Sequence, residues 1–213
     1  PLLAELNAQP KRKRMLHKIA ASHAQANEKF GEAAYHLAHA GELLQACDLI
    51  TGQEVDSLYL GEGVATAATV EEILALARSQ QRSTQSESGN DLLRRLLILR
   101  GDLLVNTTQA DEAHSCYIEA LSLATRNLDR SRIAEKMATS AYRHGEMENA
   151  IEICEQAIAT LGANVSQDAI RLRMKIESTH LRVLITLARF DEARKICERA
   201  LAVVRPLALI LPH

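Results

Sequence analysis

Apolar residues recur along the chain at three- and four-residue intervals, with polar residues between them. The clearest stretch runs from Arg130 to Leu161. Ile133, Met137, Ala138 and Ala141 share one face of its first segment, and Ala150, Ile151, Cys154, Ala157, Ile158 and Leu161 share one face of its second. That spacing is the period of a half-buried helix. The two segments break at His144-Gly145-Glu146. Glycine accepts the left-handed conformation that a helix C-terminus needs, and His144 falls where a cation meets the last carbonyls. Such a pair of helices cannot bury its apolar face alone and needs neighbours of its own kind.

The same reading extends along the chain. Pro1 to Asn7 predicts a short helical start, broken at Gln9-Pro10. Helices are expected over 11–26, 28–40, 43–50 and 70–78, the last capped by Thr69 with Glu71 and Glu72 in its first turn. Residues 55–68 are mixed, because Gly61 and Gly63 interrupt a helical spacing. Ser79 to Asn90, SQQRSTQSESGN, is poor in apolar residues and predicts an exposed linker or long loop. Beyond it the helices come in pairs: 92–105 with 110–125, 130–143 with 147–161, and 167–188 with 190–204. Pro206 closes the last helix, and LALILPH is an apolar tail. The expected organisation is therefore an irregular helical segment over 1–78 with one degenerate repeat, a linker over 79–90, and three helix pairs plus the tail over 91–213.

A short pattern recurs at the start of the second helices: Gly41-ELLQ-Ala46, Thr108-QADE-Ala113, Gly145-EMEN-Ala150 and Ala188-RFDE-Ala193. A further alanine follows seven residues later at Ala120, Ala157 and Ala200, with Tyr117, Cys154 and Cys197 between. Small residues at these positions let two helices cross closely. Ala113, Ala150 and Ala193 stand 37 and 43 residues apart, a period that predicts a solenoid of helical hairpins.

Asp111 to Leu121, DEAHSCYIEAL, resembles the second half of a tetratricopeptide repeat. Gly101 then falls on that repeat's characteristic glycine, with Leu97 and Leu104 at neighbouring core positions. The copy at Arg130 has Ala138 in place of that glycine, the copy at Lys175 has a longer first helix, and the usual tryptophan is absent. The resemblance covers 91–205 well and 28–52 weakly. It implies an all-α, right-handed superhelix of antiparallel helix pairs, a tetratricopeptide-like α-solenoid. The N-terminal third, through LHKIAASH, EAAYHLAHAGELLQACDLI and VEEILALA, is similar to the helical region that follows the winged helix in bacterial signal-transduction ATPases. That resemblance implies a helical sensor attached to a nucleotide-binding domain. The chain carries no Walker motif, so no ATPase activity belongs to it.

Composition narrows the function. The chain has 213 residues, 47% of them hydrophobic but only 3% aromatic, and no tryptophan. Abundant alanine and leucine with few glycines and prolines suit close-packed helices. A net charge of −2 gives no global pull toward nucleic acid or an anionic membrane. No apolar run approaches a membrane span. The start, PLLAELNAQPKRKRML, lacks the apolar core of a signal peptide and an initiating Met, which suggests a fragment of a longer protein or a processed chain, and the cysteine usage suggests a cytoplasmic location. Cys47, Cys116, Cys154 and Cys197 form no CxxC pair. Cys154 and Cys197 are expected on buried faces as small apolar side chains, in a reducing compartment. The basic run Lys11-Arg12-Lys13-Arg14 reads as a solvated first helical turn rather than a nucleic-acid patch.

Candidate chemistry is sparse. His36 and His39 lie one helical turn apart with Cys47 nearby, but they offer too few ligands for a structural zinc. No nucleophile–base pairing or carboxylate pair stands out, so no catalytic residue, cofactor or metal is assigned, and the chain is expected not to be an enzyme. In tetratricopeptide arrays the first helix of each pair lines the inner groove. Matching positions gives Arg95, Asp102 and Asn106 from one pair, Arg132, Glu135, Lys136, Tyr142 and Arg143 from the next, and Lys175 and Arg182 from the last. Most of these are basic, and arginine and lysine on a concave wall suit carboxylates. The expected function is a protein-interaction or sensor module of a larger signalling protein. Its partner would be an acidic peptide or protein, or the ATPase domain of its own full-length chain. The alternative is a self-association module that uses the array ends and the apolar tail.

Overall fold

The computed structural model describes the backbone of residues 9–52, 55–84, 86–105, 109–163 and 166–208, and the side chains of these except 55–66, 83–84 and 202–208. The described residues are all helical or in turns. Ten helices follow one another: α1 (Pro10–Ala26), α2 (Phe30–His39), α3 (Leu43–Thr51), α4 (Val55–Thr84), α5 (Glu87–Leu104), α6 (Ala110–Ser122), α7 (Asn127–Arg143), α8 (Met147–Leu161), α9 (Gln167–Thr186) and α10 (Phe190–Ala208). The chain divides into two compact units between Leu123 and Ala124. The α5–α6 pair lies in the same compact unit as the N-terminal helices. The expected start over residues 1–7 and the tail LALILPH lie wholly or partly outside the described residues.

Three of the described turns between paired helices share one closure. After α2, the Gly41 amide bonds to the Ala38 carbonyl at 3.0 Å and the Glu42 amide to the Leu37 carbonyl at 2.9 Å. The same two bonds recur at Gly145–Glu146 after α7 and at Ala188–Arg189 after α9. This closure needs one residue with positive φ, and Gly41 (89°) and Gly145 (82°) supply it. Ala188 takes φ 56° at the matching position, and Glu28, between α1 and α2, takes 59°. His144 meets the Ser140 carbonyl through Nδ1 at 2.8 Å, as expected for a residue at a helix C-terminus.

In the first unit α1 packs on α2, α2 on α3 and α4, α4 on α5, and α5 on α6. The core holds Ala46, Cys47 and Ile50 of α3, Ile73 and Leu74 of α4, and Leu96 and Leu97 of α5, all essentially inaccessible. Within the expected linker over 79–90, α4 runs on to Thr84 and α5 begins at Glu87, so most of its described residues are helical. Gln81 donates to the Ser86 carbonyl at 3.1 Å and to Asn90 Oδ1 at 2.7 Å, and Ser86 Oγ caps α5 by accepting from the Gly89 amide. Thr69 is interior to α4 rather than a cap, and Gly61 and Gly63 do not interrupt the helix. Each glycine costs a helix about 1 kcal/mol relative to alanine. The packing of Val70, Ile73, Leu74 and Ala77 outweighs that cost.

The close helix crossing expected from the small residues is present. A Cβ placed on Gly101 would stand 2.5 Å from the ring of Tyr117, so α5 and α6 approach because position 101 is bare. Tyr117 is buried, and its hydroxyl donates to Asp102 at 2.8 Å.

In the second unit α7 pairs with α8 and α9 with α10, while α9 also packs on α7 and α8. Ala138, Cys154, Ala157, Leu172 and Ile176 form one buried cluster, and Ala141, Ala150, Val183, Leu184 and Ile196 form another. Ala138 and Cys154 hold the positions that Gly101 and Tyr117 hold in the preceding pair. Ser131 donates across the core to the Ala157 carbonyl at 3.0 Å. Cys197 departs from expectation: it is exposed, while its neighbour Ile196 is buried. α10 packs on α9, and the face that its counterpart α8 turns toward a following pair has no such cover among the described residues.

Candidate functional site

The polar positions expected to line a groove separate into two sets. In the first unit, Arg95 donates to Asp48 Oδ1 at 2.7 Å and to Thr51 Oγ1 at 2.6 Å, tying α5 to α3. Asp102 accepts from Tyr117, as described above. Both side chains act within the fold. Asn106 lies outside the described residues.

The second unit brings its set together. Residues 132, 135, 136, 139, 142 and 143 lie along α7, and 175, 179, 182 and 186 along α9, at the spacing of a single helix face. The two faces meet in a series of rungs. Lys175 Nζ lies 3.3 Å from Glu135 Oε2. Thr139 and Thr179 hydroxyls are 3.5 Å apart, and Tyr142 and Thr186 hydroxyls 3.4 Å apart. The Arg182 guanidinium sits over the Tyr142 ring, 5.1 Å from its centroid. Glu135 and Thr179 are buried and form the floor, while Arg132, Arg143, Lys175 and Arg182 are exposed above it. Lys136 is half-buried. The surface is thus a row of cations on a seam of hydroxyl groups and the buried Glu135 carboxylate, which Lys175 partners, with one aromatic ring stacked under a guanidinium. Such a stack contributes about 0.5–1 kcal/mol when exposed. It also holds the guanidinium plane in place, which suits paired hydrogen bonding to a carboxylate. Sequence reasoning missed Thr139, Thr179 and Thr186. Their signal was the run Lys175, Thr179, Arg182, Thr186 at helical spacing.

A second surface of this unit is an open groove of about 630 Å³, lined by Glu155 of α8, His180 and Leu184 of α9, and Lys195, Ile196 and Arg199 of α10. On the same helix α9, burial raises the carboxyl pKa of Glu177, offset in part by Arg173 and Arg199, and lowers that of the His180 imidazole.

The thiols offer little chemistry. Burial pushes Cys47 to about 11 and Cys154 to about 12, and raises Cys116 as well. Thiolate is the reactive form, so none of these three is a ready nucleophile at neutral pH. His36 and His39 do not converge with Cys47, which is buried in the α3 core. His36 Nδ1 meets His17 Nδ1 at 3.0 Å, and His39 Nε2 meets Glu72 Oε1 at 2.9 Å. Among the described residues no group of three or more His, Cys, Asp or Glu could hold a metal ion. No helix of the described residues is long and apolar enough to cross a membrane.

No protein-family model matches the chain, and no curated protein matches it. Solved structures do. The chain is similar to BtubC (BKLC) from P. vanneervenii, with 14% identity over 96% of this chain and 94% of that one and a TM-score of 0.61. It is also similar to a variant of the nearly identical tetratricopeptide-like repeats of a putative kinesin light chain from Podospora anserina. There the identity is 16% over 94% of this chain and 98% of that one, with a TM-score of 0.62. At these identities the likeness establishes the fold: the chain is a tetratricopeptide-like helical repeat protein.

Proposed function

We propose that the chain is a non-enzymatic protein-interaction or sensor module of a larger signalling protein, and that the α7–α9 face binds an acidic peptide or protein segment. The observation that carries this reading is the row of exposed Arg132, Lys175 and Arg182 above the hydroxyl seam, with Arg182 braced on Tyr142. Carboxylates would take the guanidinium groups, and the threonine hydroxyls would meet peptide amides and carbonyls. Tetratricopeptide-like repeats generally mediate protein interactions, which agrees with this reading. The resemblance of the N-terminal third to bacterial signal-transduction ATPases extends it: the acidic partner would be the nucleotide-binding domain of the same full-length protein, held inactive by the module.

The test is fluorescence anisotropy with a labelled Glu-rich peptide carrying leucine at every third or fourth position. Binding that weakens with salt, and at least tenfold on Arg132→Glu with Arg182→Glu, supports the proposal. Lys195→Glu, in the outer groove, serves as the control. Equal binding by the double reversal and the native chain would sink it.

A second reading rests on a different observation. Ile185, Phe190 and Leu201 of the last pair are each more than half exposed. An apolar surface of this kind suits self-association. Mass measured by light scattering across a concentration series separates the two: a rise to dimer or beyond, lost on Phe190→Ser, favours assembly.

A further inference from the structure

The attachment of α1 is unlike that of the other helices. It packs on α2, and its buried residues are Ala21 and Ala24. Two alanine methyl groups contribute about 1–2 kcal/mol of apolar burial. Lys18 pairs with Glu42 at 2.6 Å, but the lysine is exposed and such a pair adds little. The contact also holds a cluster of imidazoles. His17 of α1 places Nδ1 3.0 Å from Nδ1 of His36. Its ring also stacks on His39 of the same α2, with centroids 5.2 Å apart and 23° between planes. Tyr35 packs against His39 at 4.4 Å.

The contact between the two Nδ1 atoms sets a condition on protonation. One nitrogen must donate and the other accept, so at least one imidazole must be neutral. With both protonated, two N–H groups and two positive charges face each other. The other groups around the cluster sharpen this. On α1, Lys13 adds positive charge near His17. On α2, the rings of His36, His39 and Tyr35 face His17. From α4, Glu72 supplies a carboxylate to His39 at 2.9 Å, which offsets one imidazolium of the three.

We infer that α1 is an acid-releasable helix, undocked from α2 when the His17–His36–His39 cluster takes up protons. The direction of linkage agrees. Burial first, and then His36, His39 and Lys13, lower the pKa of docked His17 below its ordinary value of 6.5. Its contribution to docking is therefore complete above 6.5 and is lost as the pH falls below it. The device is independent of the acidic-peptide reading, because it lies in the other compact unit and involves none of the α7–α9 residues.

The experiment is hydrogen exchange by mass spectrometry on the whole chain at pH 7.5 and 5.0, with rates corrected for the intrinsic effect of pH. Protection of residues 10–26 is expected to fall about tenfold or more, while that of α7 to α9 holds. His17→Gln is expected to abolish the fall, and His36→Gln, whose α1 retains all its own side chains, to reduce it. His23→Gln, at an exposed position of α1 outside the cluster, is expected to keep it. Equal protection of residues 10–26 at both pH values in the native chain overturns the inference. So does a fall shared equally by α7 to α9, or a full fall that survives in both cluster variants.

Discussion

Gly101 and Tyr117 occupy one another's space: the tyrosine ring fills the volume that a side chain at position 101 would need. In the next pair the same positions hold Ala138, larger than glycine, and Cys154, smaller than tyrosine, both fully buried. Close packing at each crossing therefore depends on both residues and not on either alone.

Gly101→Ala is accordingly expected to destabilise the first unit by about 1–3 kcal/mol, the usual cost of overpacking. Tyr117→Cys alone should also destabilise it, through a cavity and the lost bond to Asp102. The double variant should be more stable than the two single losses predict, by about 1 kcal/mol or more. Urea unfolding of the four proteins measures the coupling, and simple additivity would show that the two positions do not share volume.

Ala188 holds a left-handed backbone where two equivalent turns use glycine. A side chain in that conformation costs roughly 1 kcal/mol. Ala188→Gly should therefore raise the stability of the second unit by up to about that amount. Gly145→Ala, which meets open space but keeps φ 82°, should lower it similarly. Thermal melts of both variants check the pair of signs.

Of the four thiols, Cys197 alone is exposed. In the native chain one thiol should react rapidly with a disulfide reagent at pH 7.5, with the others slow until the protein unfolds. Cys197→Ser should remove the fast phase. A second fast thiol would show that the burial of Cys47, Cys116 or Cys154 is incomplete in solution.

Glu177 and His180 give the second unit a pH dependence. The raised pKa of Glu177 means that its stabilising form is the protonated one, so its contribution is lost as the pH rises through that value. His180, with a lowered pKa, contributes fully above 6.5 and loses that contribution as the pH falls. Glu177→Gln should stabilise the unit by about 1 kcal/mol at pH 7 and by less near pH 4, where the native carboxyl is itself protonated. Unfolding at the two pH values reads the difference, and a larger gain at pH 4 would contradict it.

Much of the fold was legible because its signals are local. The faces carrying Ile133, Ala138 and Ala141, and the turn at Gly145, follow from the helical period and one residue's backbone freedom. The end of α4 was not legible for the same reason. A polar stretch reports exposure, and an exposed helical turn of Gln, Arg and Ser has the composition of a loop. Cys197 sits at the register of buried Cys154, but burial depends on what packs against α10 rather than on the period of α10 itself. The candidate site was half legible. The cationic positions on α7 and α9 could be projected from the repeat. That Arg95 is taken up by a partner 47 residues away, and Asp102 by one 15 residues away, is a matter of packing that no local pattern carries. His36 and His39 were visible as neighbours, whereas the arrival of His17 depends on how α1 crosses α2.

The complementary pairs at the crossings constrain how such a repeat diverges after duplication. To pass from Gly101–Tyr117 to a pair like Ala138–Cys154, a lineage must change both residues. Enlarging position 101 first forces a methyl group into an aromatic ring. Shrinking position 117 first leaves a hollow, which a chain tolerates as a graded loss of stability. Both intermediates are less stable than either end, so copies of this hairpin are expected to drift apart by paired changes at the crossing rather than by one change at a time.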